Sequence, residues 1–227
     1  MGQPDLKNKV IVISGAGGRL GRRLVEAFAA EGAQVAAIVR HEGAPHPANL
    51  PGVRFFTADL SGEADAERCF AEIRAAFGGI DVLIHAVGTW NMKPLLETRL
   101  EDWEGLMRVN LTTAFLCFRE AARAMQGRGG RLIGFAAGQG VDQGRRQQAA
   151  YAASKAGVAR LVEAVAAEYA GQGISAYAIA PSTILFGGEE EQKGVKAEDL
   201  IDLCMYLCSP AGEALNGKTI RAYGTAG

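Results

Sequence analysis

Short apolar runs rich in β-branched residues alternate along this chain with longer segments whose apolar positions recur at helical spacing. Val10-Ile11-Val12-Ile13 is the clearest run; its lack of polar alternation marks a strand buried on both faces. Runs at Val10–Ser14, Gln34–Val39, Val53–Thr57, Val82–His85, Arg131–Phe135, Ser175–Ala180 and Thr219–Tyr223 predict strands. Helical periodicity predicts helices near Arg19–Glu31, Glu63–Phe77, Leu100–Met125, Tyr151–Gly171 and Ala197–Leu207. Such alternation predicts an α/β fold, a doubly wound parallel sheet of about seven strands flanked by helices. Residues 41–51, rich in Pro and Gly, read as a loop, and residues 127–130 as a turn before the fifth strand. Residues 187–194, with three consecutive glutamates, read as a mobile acidic loop.

Composition narrows the class. At 227 residues the chain is expected to be one domain over 1–227, long enough for a large core. A formal charge of −1 gives no electrostatic case for nucleic acid or a membrane surface, so the expected partner is a small-molecule substrate. No apolar run reaches spanning length and no signal peptide is evident, which predicts a cytoplasmic protein. Cys69, Cys117, Cys204 and Cys208 are scattered without metal-ligand spacing and read as core thiols of a reducing compartment, with no metal site.

Two motifs carry chemistry. Tyr151-Ala152-Ala153-Ser154-Lys155 places a phenol and an ammonium one helical turn apart on one face. A nearby cation favours the phenolate, so Lys155 is expected to lower the Tyr151 pKa and ready it to exchange a proton with a carbonyl or alcohol oxygen. Ser14-Gly15-Ala16-Gly17-Gly18-Arg19-Leu20-Gly21 lies between the first strand and a helix carrying Leu24, Ala27 and Phe28 on one stripe. A glycine loop there lets the backbone approach a pyrophosphate that faces the helix N-terminus.

With these motifs in view, nearly the whole chain resembles the short-chain dehydrogenase/reductase family. Ser14–Gly21 resembles its Thr-Gly-x-x-x-Gly-x-Gly fingerprint, with Arg19 at the middle glycine and Gly18 restoring a Gly-x-x-Gly-x-x-Gly pattern. Asp59-Leu60 resembles the pair that holds the adenine ring. His85-Ala86-Val87-Gly88 is a degraded version of Asn-Asn-Ala-Gly, and Val109-Asn110 resembles the segment with the active-site asparagine. Pro181-Ser182-Thr183-Ile184 resembles the segment that closes over the nicotinamide. The resemblance implies a Rossmann-type domain, a bound NAD(P), and a catalytic set of Tyr151, Lys155 and Asn110. In it Lys155 also holds the nicotinamide ribose, and Asn110 kinks its helix and binds a water in a proton relay. Thr183 and Ile184 meet the carboxamide and pyrophosphate region. It further implies that the helix Tyr151–Gly171, apolar on nearly all sides, pairs with its counterpart in a homodimer or homotetramer. His85 is expected to line a strand end near the cofactor.

Charge distinguishes the cofactor forms. The second strand ends at Arg40, where a carboxylate would bind the 2′-hydroxyl of NAD. An arginine there pairs with a 2′-phosphate, and Arg19 adds a second cation, so NADP is expected over NAD.

One member of the family's set is missing. Its serine sits just after the fifth strand, where this chain reads Ala136-Ala137-Gly138-Gln139, and no Ser or Thr occurs between Thr113 and Ser154. Ala137, Gly138, Gln139 and Trp90 are therefore the expected substrate-pocket residues. Three readings follow. The first is a ketone or aldehyde reductase in which Gln139, Gln143 or a backbone amide replaces the serine. In the second, the substrate is a C=N, iminium or quinonoid acceptor that needs no serine; dihydropteridine reductase, a member of the family, also lacks the serine and has a Gly-x-Trp like Gly88-Thr89-Trp90. That member has an acidic residue where this chain has Arg40 and lacks the asparagine matching Asn110. The third is a non-catalytic NADP-binding regulator or partner subunit. Residues 145–148 read as a solvated loop that could meet an acidic substrate.

Overall fold

The computed structural model describes residues 5–43, 50–188 and 193–226. Most of the predicted 41–51 loop and the three glutamates of the acidic loop lie outside these residues. The elements run β1 (Val10–Ser14), α1 (Arg19–Ala30), β2 (Gln34–Val39), β3 (Val53–Thr57), α2 (Glu63–Phe77), β4 (Val82–His85) and α3 (Leu100–Met107). Then follow α4 (Thr113–Met125), β5 (Gly130–Phe135), α5 (Gly138–Val141), α6 (Ala149–Glu168), β6 (Ile174–Pro181), β7 (Ile184–Leu185), β8 (Val195–Lys196), α7 (Ala197–Cys208) and β9 (Thr219–Ala222).

Seven strands form one parallel sheet in the order β3-β2-β1-β4-β5-β6-β9. The period of two along a strand sorts its side chains to opposite faces. In β1, Val12 joins the core under α2, α4 and α6 with Phe70, Phe118 and Val162, whereas Ile11 and Ile13 join the core under α1 and α7 with Phe28 and Leu200. In β4 the same split separates Leu83 from Val82 and Ile84. Both faces are thereby covered, which explains the uninterrupted apolar runs. The strand order reverses between β1 and β4, and the carboxyl ends of strands at such a switch point form the crevice where ligands bind doubly wound sheets.

Three details depart from expectation. The helix expected over Leu100–Met125 is not continuous: a π-helical turn at Arg108–Thr112 interrupts it, with Asn110, where the resemblance implied a kink, inside the turn. The helix bearing Tyr151 starts two residues earlier than expected and stops at Glu168, ahead of the left-handed Gly171 and Gly173. A small parallel pair, β7 with β8, went unpredicted because two-residue strands carry no period. No described helix is long and apolar enough to cross a membrane.

Candidate active site

Gly15 turns the chain out of β1 at φ 72, and a Cβ there would lie 2.9 Å from the Ala86 and Val87 backbone. Gly21 lets α1 settle on that turn; its Cβ would overlap the Gly15 carbonyl. The first turn of α1 has no acidic residue and no side-chain cap, leaving its N–H groups for an anion.

Two cavities lie along the carboxyl strand ends, of about 690 Å³ and about 540 Å³, with Ala86, Val87, Gly88 and Thr89 as their common wall. Gly15, Gly17, Gly18, Arg40, Asp59, Leu60 and Val109 line the larger. Leu20, Tyr151, Lys155, Pro181, Thr183 and Ile184 line the smaller, as do Trp90, Ala137 and Gln139. The larger suits an adenosine half and the smaller a nicotinamide beside a substrate, so the residues present fit an extended dinucleotide. Gly88 belongs to this fit, since a Cβ there would sit 3.1 Å from Lys155 Nζ.

Asn110 is buried behind the wall rather than lining it. Its Oδ1 accepts from the Thr89 N–H (2.7 Å), and its Nδ2 donates to the Thr89 carbonyl and to Ser154 Oγ (both 3.0 Å). The carboxamide thus pairs with the strand-end backbone as another strand would, and the π-turn is what presents it there. Ser154, inside the Tyr-x-x-x-Lys motif, is the partner that sequence reasoning missed.

Lys155 Nζ donates to the Phe135 carbonyl at 2.8 Å, and burial pushes its pKa down to about 8. Burial pushes the Tyr151 phenol up, so the expected lowering by Lys155 is not present in this arrangement: desolvation dominates, and the ammonium is engaged at the end of β5.

His85 does not line either cavity. It is 2 % exposed and bridges Ser14 Oγ (2.8 Å) and Thr113 Oγ1 (3.1 Å). The Thr113 hydroxyl donates to the Val109 carbonyl at 2.6 Å, so it accepts from His85 Nε2–H, and His85 Nδ1 accepts from Ser14. Burial and the positive charge of Lys155 push the His85 pKa down to about 3. Ser14, expected at the cofactor, is instead buried as the far end of this bridge.

Two more expectations shift. The Arg19 guanidinium lies 4.1 Å from the centre of the Phe186 ring and does not line the adenosine-side cavity. Arg40 lines it, together with Arg108 from the π-turn. Gly138 starts α5 against the Tyr223 ring, which a Cβ there would meet at 3.2 Å, and does not line the pocket. At the position of the missing serine, Ala136 and Ala137 both face the smaller cavity, with Gln139 beside them. Gln143 is exposed and does not line it, whereas Gln148 and Arg145, read as solvated loop, do.

The short chain dehydrogenase family model matches residues 9–193. The short-chain dehydrogenase/reductase eriH of Hericium erinaceus is 32% identical over 93% of this chain and 94% of its own length. The D-threitol dehydrogenase of Mycolicibacterium smegmatis is 32% identical over 79% of this chain and 72% of its own. The crystal structure of gox2181 superposes with a TM-score of 0.86 over 96% of this chain and 95% of that one; at 22% identity it shows likeness of fold alone.

Proposed function

This chain belongs to the short-chain dehydrogenase/reductase family, NAD(P)-dependent oxidoreductases that act on alcohol and carbonyl groups, and we propose that it is an NADPH-dependent reductase of a small ketone or aldehyde. The observation that carries this reading is that Tyr151 and Lys155 line one cavity that shares the wall Ala86–Thr89 with the cavity lined by Arg40. The nicotinamide, when bound, supplies a hydride to the carbonyl carbon. Tyr151 gives its phenolic proton to the carbonyl oxygen, so the product leaves as an alcohol. A phenol with a raised pKa holds that proton at neutral pH, which suits the reducing direction. Lys155, its pKa lowered to about 8 by burial, would hold the nicotinamide ribose and stand as the proton source behind Tyr151. Asn110 acts as a positioning residue that fixes the Thr89 backbone and, through Ser154, the helix carrying Tyr151. Arg40 pairs with the 2′-phosphate and selects NADP over NAD.

The whole chain serves as one unit with cofactor and substrate sites built in. Exposed Leu100, Trp103 and Phe115 on α3 and α4, beside the half-buried outer face of α6, support pairing of two copies through these helices.

The test is NADPH oxidation, with NADH in parallel, against ketones, aldehydes, quinones, cyclic imines and a quinonoid dihydropterin, for wild type and Tyr151→Phe. Turnover of ketones or aldehydes with NADPH, lost in Tyr151→Phe, is the expected result. Turnover of imine or quinonoid substrates alone would move the reading to C=N chemistry, for which the serine is dispensable. Tight NADPH binding with no turnover would make the protein a regulator or partner subunit.

A further inference from the structure

We propose that Gln148 is a specificity-determining residue whose side-chain carbonyl accepts a hydrogen bond from a hydroxyl next to the reacting carbon. The enzyme would then select α-hydroxy ketones, and the vicinal diols they form, over simple ketones. This rests on the carbonyl-reductase reading of the same site.

Gln148 is only 8 % exposed, and its Oε1 is buried without any hydrogen-bond partner among the described residues. It lines the smaller cavity together with Tyr151 and Lys155. Buried polar atoms are almost always paired, so an orphaned acceptor on a residue that lines a reaction cavity points to a donor that arrives with the substrate.

The backbone is built to hold this side chain there. Gln147 adopts φ 63, a left-handed conformation that costs free energy for a residue with a Cβ. Its carbonyl accepts from the Lys93 N–H at 2.7 Å, which ties the turn to the segment after β4. The Gln148 N–H donates to the Arg145 carbonyl at 3.2 Å, and the Gln148 carbonyl accepts from the Ala152 N–H at 2.8 Å in the first turn of α6. Both ends of the residue are fixed, one turn before Tyr151.

The donor's identity follows from what else is present. The reacting carbonyl oxygen is itself an acceptor and takes its proton from Tyr151, so it cannot satisfy Gln148. A second substrate group must do so. Gln148 caps α6 three positions before Tyr151 and lines the same cavity, so a group that reaches it while the carbonyl oxygen meets Tyr151 is assigned to the carbon next to the reacting one. Arg145 and Lys155 line the same cavity and disfavour an ammonium, leaving a neutral hydroxyl.

The experiment compares kcat/KM with NADPH for hydroxyacetone against acetone, and acetoin against 2-butanone, in wild type, Gln148→Met and Gln148→Glu. An α-hydroxyl also activates a carbonyl chemically, so the readout is the change in each ratio between proteins. Gln148→Met should lower both ratios by roughly tenfold or more, with most of the loss on the hydroxy ketone. Gln148→Glu, which keeps an acceptor and has no donor, should retain the preference. The orphan itself is read without substrate: Gln148→Met, of similar shape, should raise the thermal midpoint by roughly 2–4 °C. Unchanged ratios in Gln148→Met, equal losses on both substrates, or a preference lost in Gln148→Glu would each overturn the assignment. If no carbonyl is turned over with either cofactor, the activity reading fails. Calorimetric binding of butane-2,3-diol against 2-butanol to the protein with NADP then decides: a diol preference lost in Gln148→Met sustains the inference, and equal binding ends it.

Discussion

His85 gives the sharpest physical prediction, because its environment sets its charge and its charge bears on Lys155. Its ordinary pKa of about 6.5 falls to about 3 in the folded protein through burial, with repulsion from Lys155 adding to the effect. The unfolded chain therefore takes up a proton below pH 6.5 that the folded chain refuses until about pH 3. Stability from this residue is complete above pH 6.5 and is lost as pH falls toward 3. At 1.36 kcal/mol per pKa unit the full effect is about 5 kcal/mol, and the part falling between pH 7.5 and pH 5 is about 2 kcal/mol. Asp65, Asp102 and Asp142 have pKa values lowered by their cationic or hydrogen-bonding neighbours, so they titrate below this window. Urea denaturation at pH 7.5, 6 and 5 measures the loss, which should move the midpoint by roughly 1 M. His85→Gln keeps a donor and an acceptor for Thr113 and Ser14 and has no proton to gain. Its stability should fall by about 2 kcal/mol less than wild type across the same window. Equal losses in the two proteins would refute the reasoning and mean that His85 is solvated, or already charged, in the native state.

Other perturbations probe the remaining parts of the site. Arg40→Asp should lower kcat/KM for NADPH by about a hundredfold, the loss of a charge-assisted pair plus a new repulsion, and favour NADH in a steady-state comparison. Gly15→Ala should abolish cofactor binding by fluorescence titration and cost about 1–3 kcal/mol of stability, because the φ of 72 is strained and the Cβ meets the Ala86 backbone. Asn110→Ala should cost about 1–3 kcal/mol in denaturation, since it removes the carboxamide's bonds to the Thr89 backbone and takes its donor from the buried Ser154 hydroxyl, and should lower kcat more than it raises KM. With the Lys155 pKa near 8, the ammonium is present below that pH and lost above it; KM for NADPH should therefore rise as pH passes about 8 in wild type and stay flat in Lys155→Ala.

Local pattern revealed the parts of this molecule that local chemistry determines. The strands β1 to β4 fall on their predicted residues: β1, β2 and β4 are short apolar runs that both core faces require, and β3, at the sheet edge, keeps Val53, Phe55 and Phe56 partly buried against them. The crevice was legible for a similar reason: a glycine loop between a strand and a helix has few other uses. Contacts distant in sequence were not legible. The resemblance implied a kink at Asn110, but nothing in Leu100–Met125 gives its form: a π-turn in which Asn110 pairs with Thr89, 21 residues away, and with Ser154, 44 away. Arg19 looked like a phosphate ligand from its neighbours in sequence, but Phe186 offers its guanidinium an aromatic face.

Gln148 shows where such reading ends. Among Arg145, Arg146, Gln147 and Gln148 every side chain is polar, and polarity alone assigns all four to solvent. The three-dimensional difference is a single left-handed residue, Gln147, whose carbonyl is caught by Lys93 and which turns the next residue inward. Missing hydroxyls at Ala136 and Ala137 then have a counterpart. Where the resemblance led to the expectation of a serine, Ala136 and Ala137 line the cavity, and Gln148, which lines it too and carries an unpaired Oε1, lies at the start of α6. On the proposed reading Tyr151 gives the reacting oxygen its proton, and selectivity comes from the group beside it. Removing Gln148 should therefore change which substrate is turned over more than whether any is.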